Sequence, residues 1–269
     1  MNLINEFLNL PWPRFAILFL FFYLLLVLYA WFCGDKILFP YPSPPSYTKD
    51  DVSLYLHTHS GYRIACISDE AINSNGINIL YSHGNGEDIG MIQSLMSEIK
   101  GYGCNVISYD YPGYGLSEGK ASEQNCYEAI DSVFEYLTKD KKISPNRILL
   151  WGRSLGTGPS CYLASKENVG GLILETPFLS AFRTISEIPV LPWDRFRNIE
   201  FVDSVKCPSL VIHGRWDEVV PFRQGKKIYN NLPQPKTFLE IKEASHNDLV
   251  IKGGELYKKS IEKFLNELL

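Results

Sequence analysis

Apolar residues form one long block near the start of the chain and short, regularly spaced runs after it. The block, residues 15–33, holds nineteen residues without a charge and is dominated by Leu, Phe, Ile and Tyr. At a rise of about 1.5 Å per residue, a helix of this length just spans a hydrocarbon core of about 30 Å. The pattern predicts a transmembrane helix, with Trp12 and Trp31 suited to the two membrane interfaces.

A cleaved signal peptide and a buried core helix are the two other interpretations of this block. A signal peptide has a shorter apolar region and a small-x-small cleavage site, whereas the segment Tyr29–Phe32 is bulky. Arg14 before the span is nearly balanced by Lys36 after it, so charge leaves the side of the following domain undetermined. We expect a single-pass membrane anchor at residues 1–34 and a proline-rich spacer at residues 35–50.

From residue 51 onward, short apolar runs alternate with helical patterns. Alternating apolar residues predict two antiparallel strands near residues 52–56 and 62–66. Helical spacing is clearest from Cys126 to Leu137 and from Tyr257 to Leu268. Six further strands are expected at Ile77–Tyr81, Val106–Tyr109, Ile148–Trp151, Leu172–Leu174, Leu210–Ile212 and Thr237–Ile241. This alternation predicts an α/β fold with a mostly parallel central sheet and helices on both faces.

Composition and charge exclude several classes of function. The chain of 269 residues is 45% hydrophobic and 21% charged, which is typical of a globular protein. A net charge of −4 offers no basic surface, so nucleic acid is not an expected partner. The six cysteines are spread along the chain without a C-x-x-C pair, which argues against a zinc site. We expect neither a metal nor an organic cofactor.

The pentapeptide Gly152–Gly156 carries the main chemical signal. It reads Gly-Arg-Ser-Leu-Gly and directly follows the expected strand at residues 148–151. Gly-x-Ser-x-Gly between a strand and a helix is the pattern of a nucleophile elbow, in which the serine stands on a sharp, strained turn. Glycine at positions 152 and 156 is expected because a Cβ there would collide across the turn. The motif is short, so its weight depends on the neighbouring loops.

A nucleophilic serine needs a histidine base, and the base needs an acid to orient it. Hydrolases with this elbow place the nucleophile, the acid and the histidine in that order along the chain. Only His213 and His246 follow Ser154, and His213 ends an expected buried strand. His246 is therefore the predicted base, and Asp217, in the loop after the preceding strand, is the predicted acid. The rival acids are Glu218, Asp203 and Asp248.

The negative charge that develops on the substrate oxygen during acyl transfer needs preorganised donors, typically two backbone N–H groups. The N–H of Leu155, at the start of the helix after the nucleophile, is the first predicted donor. The second is expected in the loop at residues 83–88, at Asn85, with Gly86 as the alternative. His83 in the same loop is interpreted as a packing residue.

These motifs resemble the α/β-hydrolase superfamily over nearly all of residues 50–269. Within it, the chain is most similar to the membrane-associated α/β-hydrolase-domain proteins that include serine depalmitoylases. The segments that carry the resemblance are Arg63–Cys66, Tyr81–Asn85, Asp110–Gly119, Gly152–Thr157 and His246–Asp248. The resemblance implies an α/β-hydrolase catalytic domain at residues 51–269, a triad of Ser154, Asp217 and His246, and an oxyanion loop at Asn85. The resemblance to the depalmitoylases implies a lipidated, cysteine-rich N-terminus. This chain has instead the lone Cys33 and the apolar block at residues 15–33.

A short lid is expected between residues 177 and 208, where large apolar residues predict an apolar acyl pocket; among them are Phe178, Phe182, Ile185, Ile188, Leu191, Trp193 and Phe196. Together with the membrane anchor, this favours an acyl ester or thioester substrate at a bilayer, either a lipidated protein or a membrane lipid. Our hypothesis is a serine hydrolase that acts through an acyl-Ser154 intermediate, with protein depalmitoylation as one candidate reaction. The alternatives are a lysophospholipase or monoacylglycerol lipase, a peptidase that acts on short peptides, and a non-catalytic scaffold of the same fold.

Overall fold

The structure is a computed structural model that describes residues 11–40, 44–186 and 188–269. Residues 1–10 of the predicted anchor, residues 41–43 of the predicted spacer and residue 187 of the predicted lid lie outside the described residues. The chain divides into two compact units, Met1–Pro40 and Tyr41–Leu269.

The first unit contains one long helix, α1 (Pro11–Leu38). The most apolar 18-residue stretch of its segment Trp12–Leu38 has a mean hydropathy of 2.5, and large side chains such as Phe19 and Phe32 are exposed to 74% and 76%. A helix of 28 residues is about 42 Å long at 1.5 Å per residue, more than the hydrocarbon thickness of a bilayer. The helix is therefore long and apolar enough to cross a membrane.

The second unit is built on an eight-stranded sheet in the order β1-β2-β4-β3-β5-β6-β7-β8. The strands are β1 (Leu54–His57), β2 (Arg63–Asp69), β3 (Asn78–Ser82), β4 (Asn105–Tyr109), β5 (Ile148–Arg153), β6 (Gly171–Glu175), β7 (Ser209–Gly214) and β8 (Lys236–Ile241). β2 pairs antiparallel with β1 and β4, and the remaining neighbours are parallel. The predicted α/β fold with a mostly parallel sheet is confirmed.

Helices of the second unit pack on both faces of the sheet. They are α2 (Gln93–Gly101), α3 (Glu123–Glu135), α4 (Thr157–Lys166), α5 (Asn198–Phe201), α6 (Phe222–Asn231) and α7 (Leu249–Asn266), which is kinked at Gly254. Met96 of α2 and Ile261 of α7 share one core cluster with Tyr81 and Trp151 of the sheet. Successive side chains of a strand point to opposite faces of the sheet, so Leu150 lies on the face opposite to Trp151. Leu150 is fully buried, and α3 and α4 lie against the central strands on its face.

The segment between β6 and β7 forms the short lid. It carries two short helical turns and α5, and its apolar residues separate into two groups. Phe178 and Phe196 are exposed to only 3% and 0% and belong to the packed interior, whereas Ile185 and Ile188 are exposed to 80% and 72%. Part of the apolar content that predicted an acyl pocket therefore serves the core.

Candidate active site

Ser154 occupies the turn between β5 and α4. Its backbone φ is +49°, in the left-handed region that is costly for residues with a side chain. The chain leaves β5 at Arg153, makes a tight helical turn at Ser154–Gly156 and continues directly into α4. This geometry is that of a nucleophile elbow, which lifts the serine hydroxyl above the carboxyl edge of the sheet.

The two glycines of the elbow are required by close contacts, with different partners from one another. A Cβ added to Gly152 would lie 2.6 Å from the carbonyl carbon of Gly156, so this contact does cross the turn. A Cβ added to Gly156 would lie 2.6 Å from the carbonyl carbon of Ser82 and 2.8 Å from the carbonyl oxygen of His83. The second glycine therefore lets the elbow approach the end of the neighbouring strand β3, which is not the collision that the sequence suggested.

The structure brings Ser154, His246 and Asp217 together from three separate loops. Ser154 Oγ lies 3.0 Å from Nε2 of His246, in the loop after β8. Nδ1 of His246 lies 2.9 Å and 3.1 Å from the two carboxylate oxygens of Asp217, in the loop after β7. With a proton on Nδ1 facing the carboxylate, the lone pair of Nε2 faces the serine hydroxyl, which is the arrangement needed to accept its proton.

Asp217 is held as a carboxylate by several donors. Its Oδ1 accepts hydrogen bonds from the backbone N–H groups of Val219 and Val220 at 2.9 and 2.7 Å. Nε2 of His213 lies 3.3 Å from Oδ2. Burial alone would raise the pKa of Asp217, but the hydrogen bonds from His213 and His246 outweigh it and hold the pKa well below its usual range. Asp217 is therefore ionised at neutral pH.

The rival acids Glu218, Asp248 and Asp203 accept hydrogen bonds from backbone N–H or hydroxyl groups rather than from the imidazole of His246. Glu218 Oε2 accepts from the backbone N–H of His246 at 3.4 Å, and Asp248 Oδ1 accepts from the backbone N–H of Ser245 at 2.6 Å. Both carboxylates thus hold the backbone of the histidine loop, in contrast to the side-chain contact of Asp217. Asp203 accepts from the hydroxyl of its neighbour Ser204 in an exposed turn.

The loops expected to supply the oxyanion donors leave the same edge of the sheet, because β3 and β5 are parallel neighbours with Ser82 opposite Gly152. Leu155 follows the nucleophile at the start of the helical segment, where the first N–H groups have no acceptor within the helix. Asn85 lies in the loop after β3, and its side-chain Oδ1 accepts a hydrogen bond of 2.7 Å from the hydroxyl of Tyr114.

Arg153 ties these loops together, a role that the sequence analysis missed. Its Nη1 forms a close ion pair with Glu87, and its Nη2 donates to Oδ1 of Asn247 at 2.7 Å. Glu87 in turn accepts from the backbone N–H of Gly84 at 2.7 Å. Burial would lower the pKa of Arg153, and the charge of Glu87 outweighs it and raises the pKa. The sequence did contain a signal for this ion pair, because Arg153 in the elbow and Glu87 in the loop at residues 83–88 carry opposite charges and the two loops were expected to lie close together.

A buried carboxyl group lies beside this ion pair. Glu175 ends β6 directly opposite Arg153 in the sheet register and is exposed to 3%. It accepts a close hydrogen bond from the hydroxyl of Tyr257 on α7. Burial raises the pKa of Glu175 above its ordinary value, in spite of the opposing effects of Tyr257 and Arg153.

Within residues 11–40, 44–186 and 188–269, no group of three or more His, Cys, Asp or Glu side chains could hold a metal ion. Five of the six cysteines are buried free thiols, and Cys33 on α1 is half-buried.

Comparisons with known proteins place the chain among hydrolases. A family described as serine aminopeptidase, S33, matches residues 75–196. Alpha/beta hydrolase domain-containing protein aho-3 of Caenorhabditis elegans is 38% identical over 76% of this chain and 62% of its own length. Alpha/beta hydrolase domain-containing protein 17B of Xenopus laevis is 34% identical over 82% of this chain and 77% of its own. This chain thus spans less than two thirds of the Caenorhabditis elegans relative.

A solved structure shares the fold at low sequence identity. An esterase of Pyrococcus furiosus superposes with a TM-score of 0.70 at 17% identity, covering 85% of this chain and 98% of that protein. At this level of identity the likeness concerns the architecture of the sheet and its helices.

Proposed function

This chain belongs to the family of alpha/beta hydrolase domain-containing protein 17, and from that premise we propose that it is a membrane-anchored serine hydrolase of acyl esters or thioesters. The observation that carries the proposal is the line from Ser154 Oγ to His246 Nε2, at 3.0 Å, and from His246 Nδ1 to the Asp217 carboxylate, at 2.9 Å. Ser154 is the nucleophile, His246 the general base and Asp217 the orienting acid.

The reaction proceeds in two halves. Ser154 Oγ bonds to the substrate carbonyl carbon while its proton passes to Nε2 of His246. The bond from that carbon to the leaving sulfur or oxygen then breaks, and the leaving group takes the proton from Nε2. Water next bonds to the acyl carbon and gives a proton to His246. The bond to Ser154 breaks, Oγ recovers a proton, and the fatty acid is released.

Two backbone N–H groups stabilise the oxyanion in both halves of the proposed reaction. We assign Leu155 and Asn85, because their loops flank the nucleophile from β5 and β3, which are neighbours in the sheet. Such donors act most strongly when they are fixed before the charge develops. The ion pair between Arg153 and Glu87 supports this role, since it joins the elbow to the loop that contains Asn85.

Exposed apolar side chains close to the triad residues along the chain support the proposed substrate class. Trp216 and Val219, which flank Asp217 along the chain, are exposed to 67% and 45%, and Ile251, five residues after His246, to 81%. These side chains and the apolar N-terminal helix suit a long acyl chain presented at a bilayer. We propose anchoring through residues 1–34, a spacer over residues 35–50 and catalysis by residues 51–269. Protein depalmitoylation is the first candidate reaction, and hydrolysis of a monoacylglycerol or lysophospholipid ester is the second, favoured by the same exposed apolar side chains.

The full chain in detergent micelles tests these assignments, with Ser154→Ala as the inactive variant and Ser165→Ala on α4 as the matched control. A palmitoyl thioester and a palmitoyl glyceryl ester are compared at equal concentration, together with labelling by a fluorophosphonate. We expect turnover and labelling in the wild type and in Ser165→Ala, and neither in Ser154→Ala. A preference for the thioester supports depalmitoylation, and a preference for the glyceryl ester supports a lipase. A folded wild type without labelling or turnover would make the protein a scaffold.

A further inference from the structure

Ser46 and Tyr47, which directly follow the prolines of the predicted spacer, contact the loop after β3. The backbone N–H of Ser46 donates to Oδ2 of Asp88 at 2.8 Å, and the Ser46 hydroxyl makes a close hydrogen bond to the same carboxylate. Tyr47 is exposed to only 7% and packs with Ala65 and Ile89 in a small apolar cluster. The end of the spacer is thus part of the packed body of the second unit.

The Tyr47 hydroxyl binds a buried carboxylate at the end of β4. It donates a close hydrogen bond to Oδ2 of Asp110 and accepts one of 2.9 Å from the backbone N–H of Leu116. The other carboxylate oxygen of Asp110 accepts from the backbone N–H of Ile89 at 2.9 Å. Asp110 is fully buried, so its orientation depends on these few donors.

Asp110 also faces His83 in the proposed oxyanion loop. Nε2 of His83 lies 3.3 Å from Oδ1 of Asp110, and both side chains are fully buried. Nδ1 of the same ring lies 2.8 Å from the carbonyl oxygen of Gly84, to which it donates. Burial alone would lower the pKa of His83, but Asp110 outweighs that effect and raises the pKa above its ordinary value. The ring therefore lies between the Asp110 carboxylate and the carbonyl group of Gly84, one residue before Asn85.

Two tyrosines that follow Asp110 donate hydrogen bonds to the loop that contains His83 and Asn85. The hydroxyl of Tyr111 donates to the carbonyl oxygen of His83 at 2.7 Å, and the hydroxyl of Tyr114 donates to the side chain of Asn85 at 2.7 Å. The rings of Tyr111 and Tyr114 lie 4.4 and 5.7 Å from the His83 ring. The ring of His83, its backbone carbonyl and the side chain of Asn85 are thus each held by a separate contact.

We propose that Tyr47 is a positioning residue of the oxyanion loop, whose hydroxyl fixes the N–H of Asn85 through Asp110 and His83. The inference rests on the proposed function, since it gives a purpose to the loop only if that loop binds the oxyanion. Its consequence is that the end of the spacer belongs to the support of the active site. A change at Tyr47 then alters turnover without touching the substrate.

The test compares Tyr47→Phe with Tyr55→Phe in the full chain in detergent micelles. Tyr55 packs against the same apolar cluster, and its ring lies 4.6 Å from the guanidinium of Arg63. Rates are expressed per active site titrated with a fluorophosphonate, so that any unfolded fraction is removed. For Tyr47→Phe we expect kcat to fall about tenfold with KM within about twofold, because the donor geometry is loosened while the acyl site is kept.

A second measurement separates positioning from general weakening of the structure. A palmitoyl trifluoromethyl ketone forms an adduct whose oxygen occupies the oxyanion position, and its affinity should fall by the same factor as kcat/KM. Tyr55→Phe should leave both quantities unchanged. If Tyr47→Phe keeps the wild-type kcat per site and the wild-type inhibitor affinity, the inference is wrong and the proposed function stands. If the wild type shows no Ser154-dependent turnover, the proposed function fails and the inference fails with it.

Discussion

Replacing Gly156 by alanine tests whether the close approach of the elbow to β3 sets the position of the nucleophile. The added Cβ would meet the carbonyl oxygen of Ser82 most closely, and it would lie 2.6 Å from the carbonyl carbon of Ser82 and 2.8 Å from the carbonyl oxygen of His83. Carbon atoms in contact prefer a separation of about 3.5 to 4.0 Å, so the elbow and the end of β3 must separate by about 1 Å. Both partners are backbone atoms, and no side-chain rotation can relieve the overlap.

The expected loss of activity follows from that displacement. A shift of about 1 Å in a reacting group can cost about 10²-fold in rate, which corresponds to about 2.7 kcal/mol. Overpacking should also lower the free energy of unfolding by about 1 to 3 kcal/mol. We therefore expect Gly156→Ala to be folded under assay conditions but to lose about 10²-fold in kcat, because Ser154 moves relative to both His246 and the loop after β3.

The assay measures ester hydrolysis, the rate of fluorophosphonate labelling and thermal unfolding on the same preparation. Gly101→Ala is the matched control, because a Cβ at the end of α2 would meet nothing within 4 Å. Alanine also has a higher helix propensity than glycine, so the control should be at least as stable as the wild type. If Gly156→Ala retains kcat within about threefold of the wild type, the nucleophile does not depend on this contact, and the argument from a displacement of about 1 Å is wrong.

Two further predictions concern Asp217 and Glu175. Asp217→Asn should keep the fold, which circular dichroism can check, and its kcat should fall about 10⁴-fold, because an amide no longer holds the His246 tautomer that exposes Nε2 to Ser154. Near-normal turnover of this variant would mean that another residue is the acid. Burial raises the pKa of Glu175, so the folded state holds this proton more tightly than the unfolded chain, and stability is lost as the pH rises through the folded-state pKa. Glu175→Gln removes that loss, so its melting temperature relative to the wild type should increase as the pH rises above 4.5, the ordinary pKa of a glutamate, and a constant difference would contradict the assignment.

The alternation of strands and helices was predictable because buried parallel strands are nearly continuous apolar runs, whereas helices bury one stripe. β5 shows this clearly, since Ile148–Trp151 is apolar and fully buried or nearly so. The bend in the last helix at Gly254 was not predictable in this way. The apolar spacing from Tyr257 onward describes only the part of α7 that follows the kink.

The candidate site was predictable as far as chain order and local motif define it. Gly-x-Ser-x-Gly is a local steric requirement, and the order Ser154, Asp217, His246 is that of the loops at one edge of the sheet. The contacts of Arg153 with Glu87 and Asn247 join residues 66 and 94 positions apart, and such pairs leave no periodic trace in the sequence. Tyr47 illustrates the same difficulty, because it follows a proline-rich stretch but its hydroxyl binds a carboxylate 63 positions away.

The α/β architecture and the apolar N-terminal helix could be predicted from local patterns, because hydrophobic periodicity and turn chemistry act over a few residues. Ser154 was predicted from its turn motif, and Asp217 and His246 from their order along the chain. The polar groups that support the site became identifiable only from the folded arrangement of the chain. Asp110 and Glu175 resemble any other acidic residue along the chain, yet both are buried beside the active edge and bound by tyrosine hydroxyls from distant segments. Whether a charge faces water or the interior is set by what the folded chain brings around it.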